Sequence, residues 1–278
     1  MKAGSLCNPN IADYTESSKS NCVDPVKFNK GQPDKVALEA RKYTISLDWL
    51  ELFGEAQNVE INEKLTLITD SIGLKHRGHG TAMYNDLIEV YYYGEKAAFL
   101  QVNPRFIKGA MKEKSAQIKF ENHLLYADYF IEFYEDLKAA IQFKLNNFTR
   151  IDIAIDNCKE VQEFLNFYNN QSAADIQFLH KGKARFSALG LDKKTMDYQQ
   201  FIVGTAKSEK QLSVYNKSKE LEQSNKQYIR DFWKNNGIKD CSEVFRVEMR
   251  LKSKFLKSVK DLTLNNLTDS TFLASLFK

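Results

Sequence analysis

Cysteine is scarce and scattered in this chain of 278 residues: Cys7, Cys22, Cys158 and Cys241 show no C-x-x-C spacing and no compact framework. A disulfide-stapled fold is excluded, and reduced thiols in a cytoplasmic protein are the simplest expectation. No apolar run approaches the ~20 residues that span a bilayer. The N-terminus lacks a basic region followed by an apolar core, so no signal peptide is expected. There are four histidines; His76 and His79 lie among glycines three residues apart, a loop pattern, while His123 and His180 stand alone. Neither sign of charge dominates: 40 Lys and Arg against 36 Asp and Glu leave +4. That balance permits a nucleic-acid partner without demanding one. No internal repeat is visible.

What is present is a globular composition, 43% hydrophobic and 12% aromatic, with 19 Phe and 13 Tyr. The length suits one large domain or two small ones. Residues 1–35 are polar and irregular and are expected to form a poorly ordered arm, leaving 36–278 as the functional domain. From Lys42 to Leu52 the pattern is extended, with Trp49 expected in the core; Glu60 to Ile72 is ambiguous between helix and strand. The runs I-E-V-Y-Y-Y and A-A-F-L-Q-V predict a hairpin turning at Gly94-Glu95-Lys96. Within it, alternation sends Tyr92 to one side and Tyr91 and Tyr93 to the other. Apolar residues at helical spacing predict a helix from about Ala127 to Leu145, and a shorter one over Glu160 to Tyr168. A further hairpin is expected over Asp175 to Leu191. A pair of strands over Phe201–Val203 and Leu212–Asn216 follows, then a helix from Lys217 to Lys234, the strand of Glu248 and two short closing helices.

Three strands carry an unusual pattern. In F-T-R-I-D-I-A-I-D-N (Phe148 to Asn157), Ile151, Ile153 and Ile155 share one face, and Arg150, Asp152, Ala154 and Asp156 the other. In F-R-V-E-M-R-L-K (Phe245 to Lys252), Val247, Met249 and Leu251 oppose Arg246, Glu248, Arg250 and Lys252. In Q-L-S-V-Y-N-K, Tyr215 shares its face with Gln211, Ser213 and Lys217. If these strands are neighbours, Tyr215 lies among Asp152, Asp156 and Glu248. The bland alternative for Asp152 and Asp156 is ordinary charge, paired with Arg150 or Arg246.

These pieces, in this order and spacing, resemble rolling-circle replication initiators of the Rep_trans type. That group takes in plasmid initiators and the related initiation factors and relaxases of phages and conjugative elements. The matching stretches are T-R-I-D-I-A-I-D, Gly204 followed four residues on by Ser208, V-Y-N-K with Glu220, and R-V-E-M-R-L-K. More loosely, F-L-Q-V-N-P and T-I-S-L-D-W-L also correspond, so the likeness covers about residues 40 to 255. It implies an α+β fold with a central, mostly antiparallel sheet, helices packed on one face and the active site on the other. It also implies a nicking-closing enzyme: Tyr215 attacks the phosphate at the origin, stays joined to the 5′ end and frees a 3′-hydroxyl that primes synthesis.

A phenol of pKa about 10 is a poor nucleophile at neutral pH, so it needs a base or a nearby cation. The resemblance implies Mg²⁺ or Mn²⁺ held by Asp152 and Glu248, with Asp156 as third ligand. Lys217 is expected to steady the phosphate or the phenolate. Lys207, Lys210, Arg246, Arg250 and Lys252 are the expected DNA-binding cations. The implied partners are origin DNA presented as a single strand or hairpin, a host helicase, and a second copy in a homodimer; no membrane is implied. His76 and His79 do not match the His-hydrophobe-His pair that another class of nicking enzymes uses for its metal. The chain departs from the plasmid pattern at Arg250, where the family has an acidic residue, at Gln101, again in place of an acid, and at Ala206 in place of a base. These departures bear on the metal more than on the nucleophile, and Arg250 and Gln101 favour as an alternative a non-catalytic origin-binding regulator; a relaxase nicking DNA for conjugative transfer is the other alternative.

Overall fold

A computed structural model describes residues 43–57, 59, 61–170, 186–191, 198–224 and 226–277. The expected N-terminal arm, and most of the hairpin expected over Asp175 to Leu191, lie outside these residues. Among those described, eleven strands join in one sheet, and each pairs antiparallel with its neighbours. In chain order they are β1 (Thr44–Glu55), β2 (Thr66–Leu67), β3 (Ile72–His76), β4 (Tyr84–Tyr92), β5 (Glu95–Pro104), β6 (Ser115–Phe120), β7 (Lys144–Asp156), β8 (Phe186–Leu191), β9 (Tyr198–Val203), β10 (Lys210–Asn216) and β11 (Phe245–Lys252). Across the sheet the order is β2-β3-β4-β5-β6-β1-β7-β11-β10-β9-β8. The helices are α1 (Phe130–Ala140), α2 (Lys159–Asn170), α3 (Lys217–Ser224), α4 (Gln227–Asn235), α5 (Ser253–Leu256) and α6 (Ser270–Ser275). The expected α+β class with a central antiparallel sheet is what the chain forms.

Period-2 alternation decides which side of the sheet is dry. Ile151 and Ile153 of β7, Met249 and Leu251 of β11, Leu47, Leu50 and Leu52 of β1 and Ile118 of β6 are buried in one core. Leu137 of α1, Leu256 of α5 and Leu273 of α6 close over it. α2 completes this cover further along, packing Val161 and Leu165 on Phe201, Val214 and Phe245. The opposite face is polar at its centre. One end of it is capped by α3 and α4 with a 3₁₀ turn at Asn122–Tyr126, through Leu221, Ile229, Trp233, Tyr126 and Tyr228. The helices are therefore not confined to one face: α3 and α4 add a second, smaller layer beside the site.

Several expected details shift for identifiable reasons. Of the stretch left ambiguous between helix and strand, residues 61–72 form the short β2 and enter β3 at Ile72. β6 has no long apolar run to predict a strand; its partners β1 and β5 impose it. The hairpin turn is Tyr93-Gly94, with φ of 45° and 86°, and Glu95 already pairs with Tyr92. Two residues at positive φ give the twist that matches a two-residue hairpin. α1 stops at Ala140; Gln142 takes φ 48° and the chain enters β7 at Lys144. The helix expected over Lys217 to Lys234 is two helices, α3 and α4.

Trp49 is not in the core. β1 bulges between Leu47, which pairs with Ile153, and Trp49, which pairs with Asp152. A bulge places two residues of one strand opposite one of its partner, so Asp48 and Trp49 both serve the polar face. At another shift, between Phe53 and Gly54, the two strands approach closely. A Cβ on Gly54 would lie 2.2 Å from the carbonyl oxygen of Lys144 and 2.7 Å from the Phe143 ring.

Gly54→Ala is therefore expected to destabilise the chain by about 1–3 kcal/mol through overpacking, read as a lower midpoint in urea. An unchanged midpoint would mean that β1 and β7 separate there at no cost.

Candidate active site

The polar faces of β7, β11 and β10 lie side by side, as their alternation requires. Arg246 pairs with Asp156, Arg250 with Asp152 and Lys252 with Arg150 across β7; Tyr215 faces Arg246, and Ser213 faces Glu248, across β10. The motif of Gly204 and Ser208 shapes the turn before β10. Gly204 has φ 100°, and Ser208 Oγ accepts the Thr205 N–H at 2.9 Å.

Between these strands and α3 lies a cavity of about 510 Å³, lined among others by Asp48, Trp49, Arg150, Asp152, Tyr215, Lys217, Glu220, Glu248 and Arg250. The Tyr215 hydroxyl donates to Glu248 Oε2 at 2.8 Å. Lys217, the first residue of α3, is almost wholly buried, pairs with Glu220, and stands 5.7 Å from the Tyr215 ring centre.

Two of the expected site residues serve another purpose. Arg246, expected among the DNA-contacting cations, has zero exposure. It donates to both oxygens of Asp156 at 2.6 and 2.8 Å and to Asp48 Oδ1 at 2.8 Å. Asp156, expected as a third metal ligand, is consumed by that pair and by the Trp233 indole N–H at 2.7 Å; it does not line the cavity. A guanidinium without water must be matched by carboxylates, and this one is. Asp152 does line the cavity, but its carboxylate is held by Arg150 and by Arg250 Nε at 3.3 Å. The pairing weighed as the bland alternative for both aspartates is thus the one observed.

The remaining cations lie at the rim. Arg250 is 30% exposed and also donates to Gln211 at 3.1 Å. Lys252 donates to the Ala206 carbonyl, Lys210 lies 4.0 Å over the Phe255 ring, and Lys207 is exposed in the turn.

Asp48, Trp49, Asn122 and Arg150 also belong to the site, and the motif reading gave them no role in it. Tyr126 and Arg246 hold Asp48 Oδ1, each at 2.8 Å. Arg150 and Lys119 each place a charge 4.3 Å from the Trp49 ring centre. The signal was the adjacent pair Asp48-Trp49, which breaks alternation where a bulge is needed. The Tyr91-Tyr92-Tyr93 run does not reach the site. Tyr92 is buried and stacks near Tyr129 and Phe133. β4 is four strands from β7 in the sheet order, roughly 19 Å at ~4.8 Å per strand.

The electrostatics differentiate the carboxylates. Burial pushes the Asp48 carboxyl up, but the Arg246 and Lys217 charges and the Tyr126 hydroxyl together hold it well below the usual range. Burial raises Glu248, and the charges of Asp48 and Asp152 raise it further. Burial and the Glu248 charge push the Tyr215 phenol well above its ordinary value. Burial and Arg246 lower Lys217, against Asp48 and Glu220. The phenol therefore keeps its proton at rest, next to a carboxylate with unusual affinity for one.

No three His, Cys, Asp or Glu side chains among the described residues are grouped to hold a metal ion. The donor set expected for Mg²⁺ or Mn²⁺ does not fit as it stands: Asp156 is sealed in an ion pair, and Asp152 is clasped by two guanidinium groups. His76, unmatched to any ligand pair, faces Asp86 at 3.1 Å.

No family model matches the chain, and no curated protein matches it. Among solved structures it is similar to a rolling circle replication initiator protein from Geobacillus stearothermophilus. That likeness has 12% identity and a TM-score of 0.42, and covers 84% of this chain and 79% of the other. A likeness of that degree fixes neither family nor function. None of the described helices is long and apolar enough to cross a membrane.

Asp156→Ala leaves Arg246 buried with half its partners and is expected to cost about 3–5 kcal/mol, measured by urea unfolding; a loss below 1 kcal/mol would show that water replaces the carboxylate. Glu248 gives a pH test. Its folded pKa lies above the unfolded value, so its contribution to stability is present below the unfolded pKa, near 4.5, and is lost as pH rises through the raised value. Glu248→Gln is expected to raise the melting temperature relative to wild type at pH 8, with the gap closing towards pH 4. A gap of the opposite sign at pH 8 would contradict the assigned shift.

Proposed function

We propose that this chain initiates rolling-circle DNA replication by nicking and rejoining a DNA strand, with Tyr215 as nucleophile. The observation that carries the reading is the 2.8 Å hydrogen bond from Tyr215 to Glu248, set in a cleft that also presents Lys217 and Arg250. In the proposed step Glu248 takes the phenolic proton as the tyrosine oxygen bonds to phosphorus. The bond from phosphorus to the 3′ oxygen breaks, and that oxygen receives the proton from Glu248 to leave as a hydroxyl. Lys217 and Arg250 offset charge on the phosphate as it passes through five-coordination. The 5′ end remains as a phosphotyrosine, and reversal rejoins the strand without ATP because the ester bond energy is kept.

In this reading the DNA enters unpaired, since a phosphate in intact duplex does not reach a phenol seated in a cleft of this size. The double clasp on Asp152 favours a second reading, an origin-binding regulator that does not cut. Action on conjugative DNA would use the same chemistry.

The test is covalent capture. Wild-type protein, incubated in Mg²⁺ and Mn²⁺ with supercoiled DNA carrying the sequence that flanks its own gene, should form an adduct that survives SDS. Tyr215→Phe should bind the DNA within about twofold and form none. Adduct from the Phe variant would move the nucleophile elsewhere, and binding without adduct by wild type would favour the regulator.

A further inference from the structure

The segment 105–114 joins β5 to β6 at the end of the sheet remote from α4. Phe106 is 67% exposed and Ile107 63%, with Met83 beside them at 53%. Single exposed apolar side chains are ordinary on a protein surface, whereas a cluster of large ones marks a contact surface. Here the backbone is held. Arg105 N–H donates to Met83 O at 3.0 Å, Met111 N–H to Lys108 O at 3.2 Å and Ser115 N–H to Lys112 O at 3.0 Å. Arg105 Nε donates to Thr81 O at 2.8 Å, and the Lys112 N–H to Ser115 Oγ at 2.8 Å. Around the apolar pair stand Arg105, Lys108, Lys112 and Lys114, all exposed, with Lys144 close by on β7. Glu113, Glu55 and Asp86 are acidic neighbours; Glu55 is tied to Lys112 at 2.8 Å, and Asp86 accepts from Asn103 at 2.7 Å.

We infer that this segment is a duplex-DNA contact in which Phe106 and Ile107 wedge into the minor groove while the cations hold the flanking phosphates. An apolar tip ringed by cations matches what kinks a duplex by partial unstacking, and the excess of positive charge complements DNA. The inference rests on the proposed action on DNA. Register fixes the spacing to the nucleophile. Ser46 of β1 is level with Ala154, which is level with Glu248; Glu55 at the far end of β1 pairs with Ser115, where the segment ends. From 46 to 55 is nine residues, on the order of 30 Å along the strands at ~3.3 Å per residue, and β5, where the segment begins, lies five strands from β10, roughly 24 Å across the sheet at ~4.8 Å per strand, so the diagonal is on the order of 38 Å. That is close to one turn of B-DNA, ~34–36 Å. The wedge therefore meets a duplex arm about one turn from the phosphate beside Tyr215, on the same side of the helix.

Phe106→Ser/Ile107→Ser, a double change at exposed positions, tests this by binding to two probes. One is a hairpin with a stem of about two turns (~20 base pairs); the other is an unpaired strand of equal length, both drawn from the gene's flanking sequence and labelled with 2-aminopurine. The variant is expected to bind the hairpin about tenfold more weakly and the unpaired strand unchanged. Wild type alone should raise 2-aminopurine fluorescence about one turn into the stem. Equal affinity of variant and wild type for the hairpin overturns the wedge. So does a wild-type dimer that dissociates in the variant with hairpin affinity intact, since the patch would then join two copies. Failure of the wild type to bind either probe sinks the DNA reading itself.

Discussion

The Arg246 guanidinium, with zero exposure, is the charge that the architecture must answer. Its donors are met by Asp156 of β7 and Asp48 of β1, and those carboxylates are met in turn by Trp233 of α4 and Tyr126 of the 3₁₀ turn. One ion thereby ties three adjacent strands to the small helical layer above them. Burying it costs several kcal/mol before pairing, so the arrangement is valuable for its geometry rather than for net stability. It gives the polar face a fixed wall, against which Tyr215 and Lys217 take defined positions.

That wall also grades the acids. Asp48, beside Arg246, is held ionised, while Glu248 carries the excess of negative charge from Asp48 and Asp152 and gains proton affinity. Carboxylates driven apart in this way suit different tasks. In the proposed reaction Asp48 stays a fixed anion, and Glu248 is the one that exchanges a proton with Tyr215. Asp152, neutralised by Arg150 and Arg250, orients those guanidiniums at the cleft mouth.

The strands that build the cleft were legible because their faces are cleanly divided: I-D-I-A-I-D and R-V-E-M-R-L-K admit only one register with a dry core. Their adjacency was not legible from alternation, which says nothing about neighbours, and came with the resemblance. The bulge at Asp48-Trp49 was missed because a single extra residue leaves the apolar pattern on either side intact, so Trp49 read as core. The fate of Asp156 and Arg246 was missed for a different reason. Both lie on the polar face by period, and only the arrival of Trp233 and Tyr126, distant in sequence, turns that end of the face into an interior. The break between α3 and α4 likewise follows no Gly or Pro.

The central claim is that Tyr215, bonded to Glu248 and backed by the Arg246 wall, is the atom donor of a covalent DNA linkage. Digesting the protein–DNA adduct with protease and nuclease, then sequencing the nucleotide-bearing peptide by mass spectrometry, tests it directly. The account predicts a 5′-phosphate mass on Tyr215 and on no other residue. A nucleotide found on Tyr126, Tyr228 or any other side chain, with Tyr215 unmodified, would contradict it.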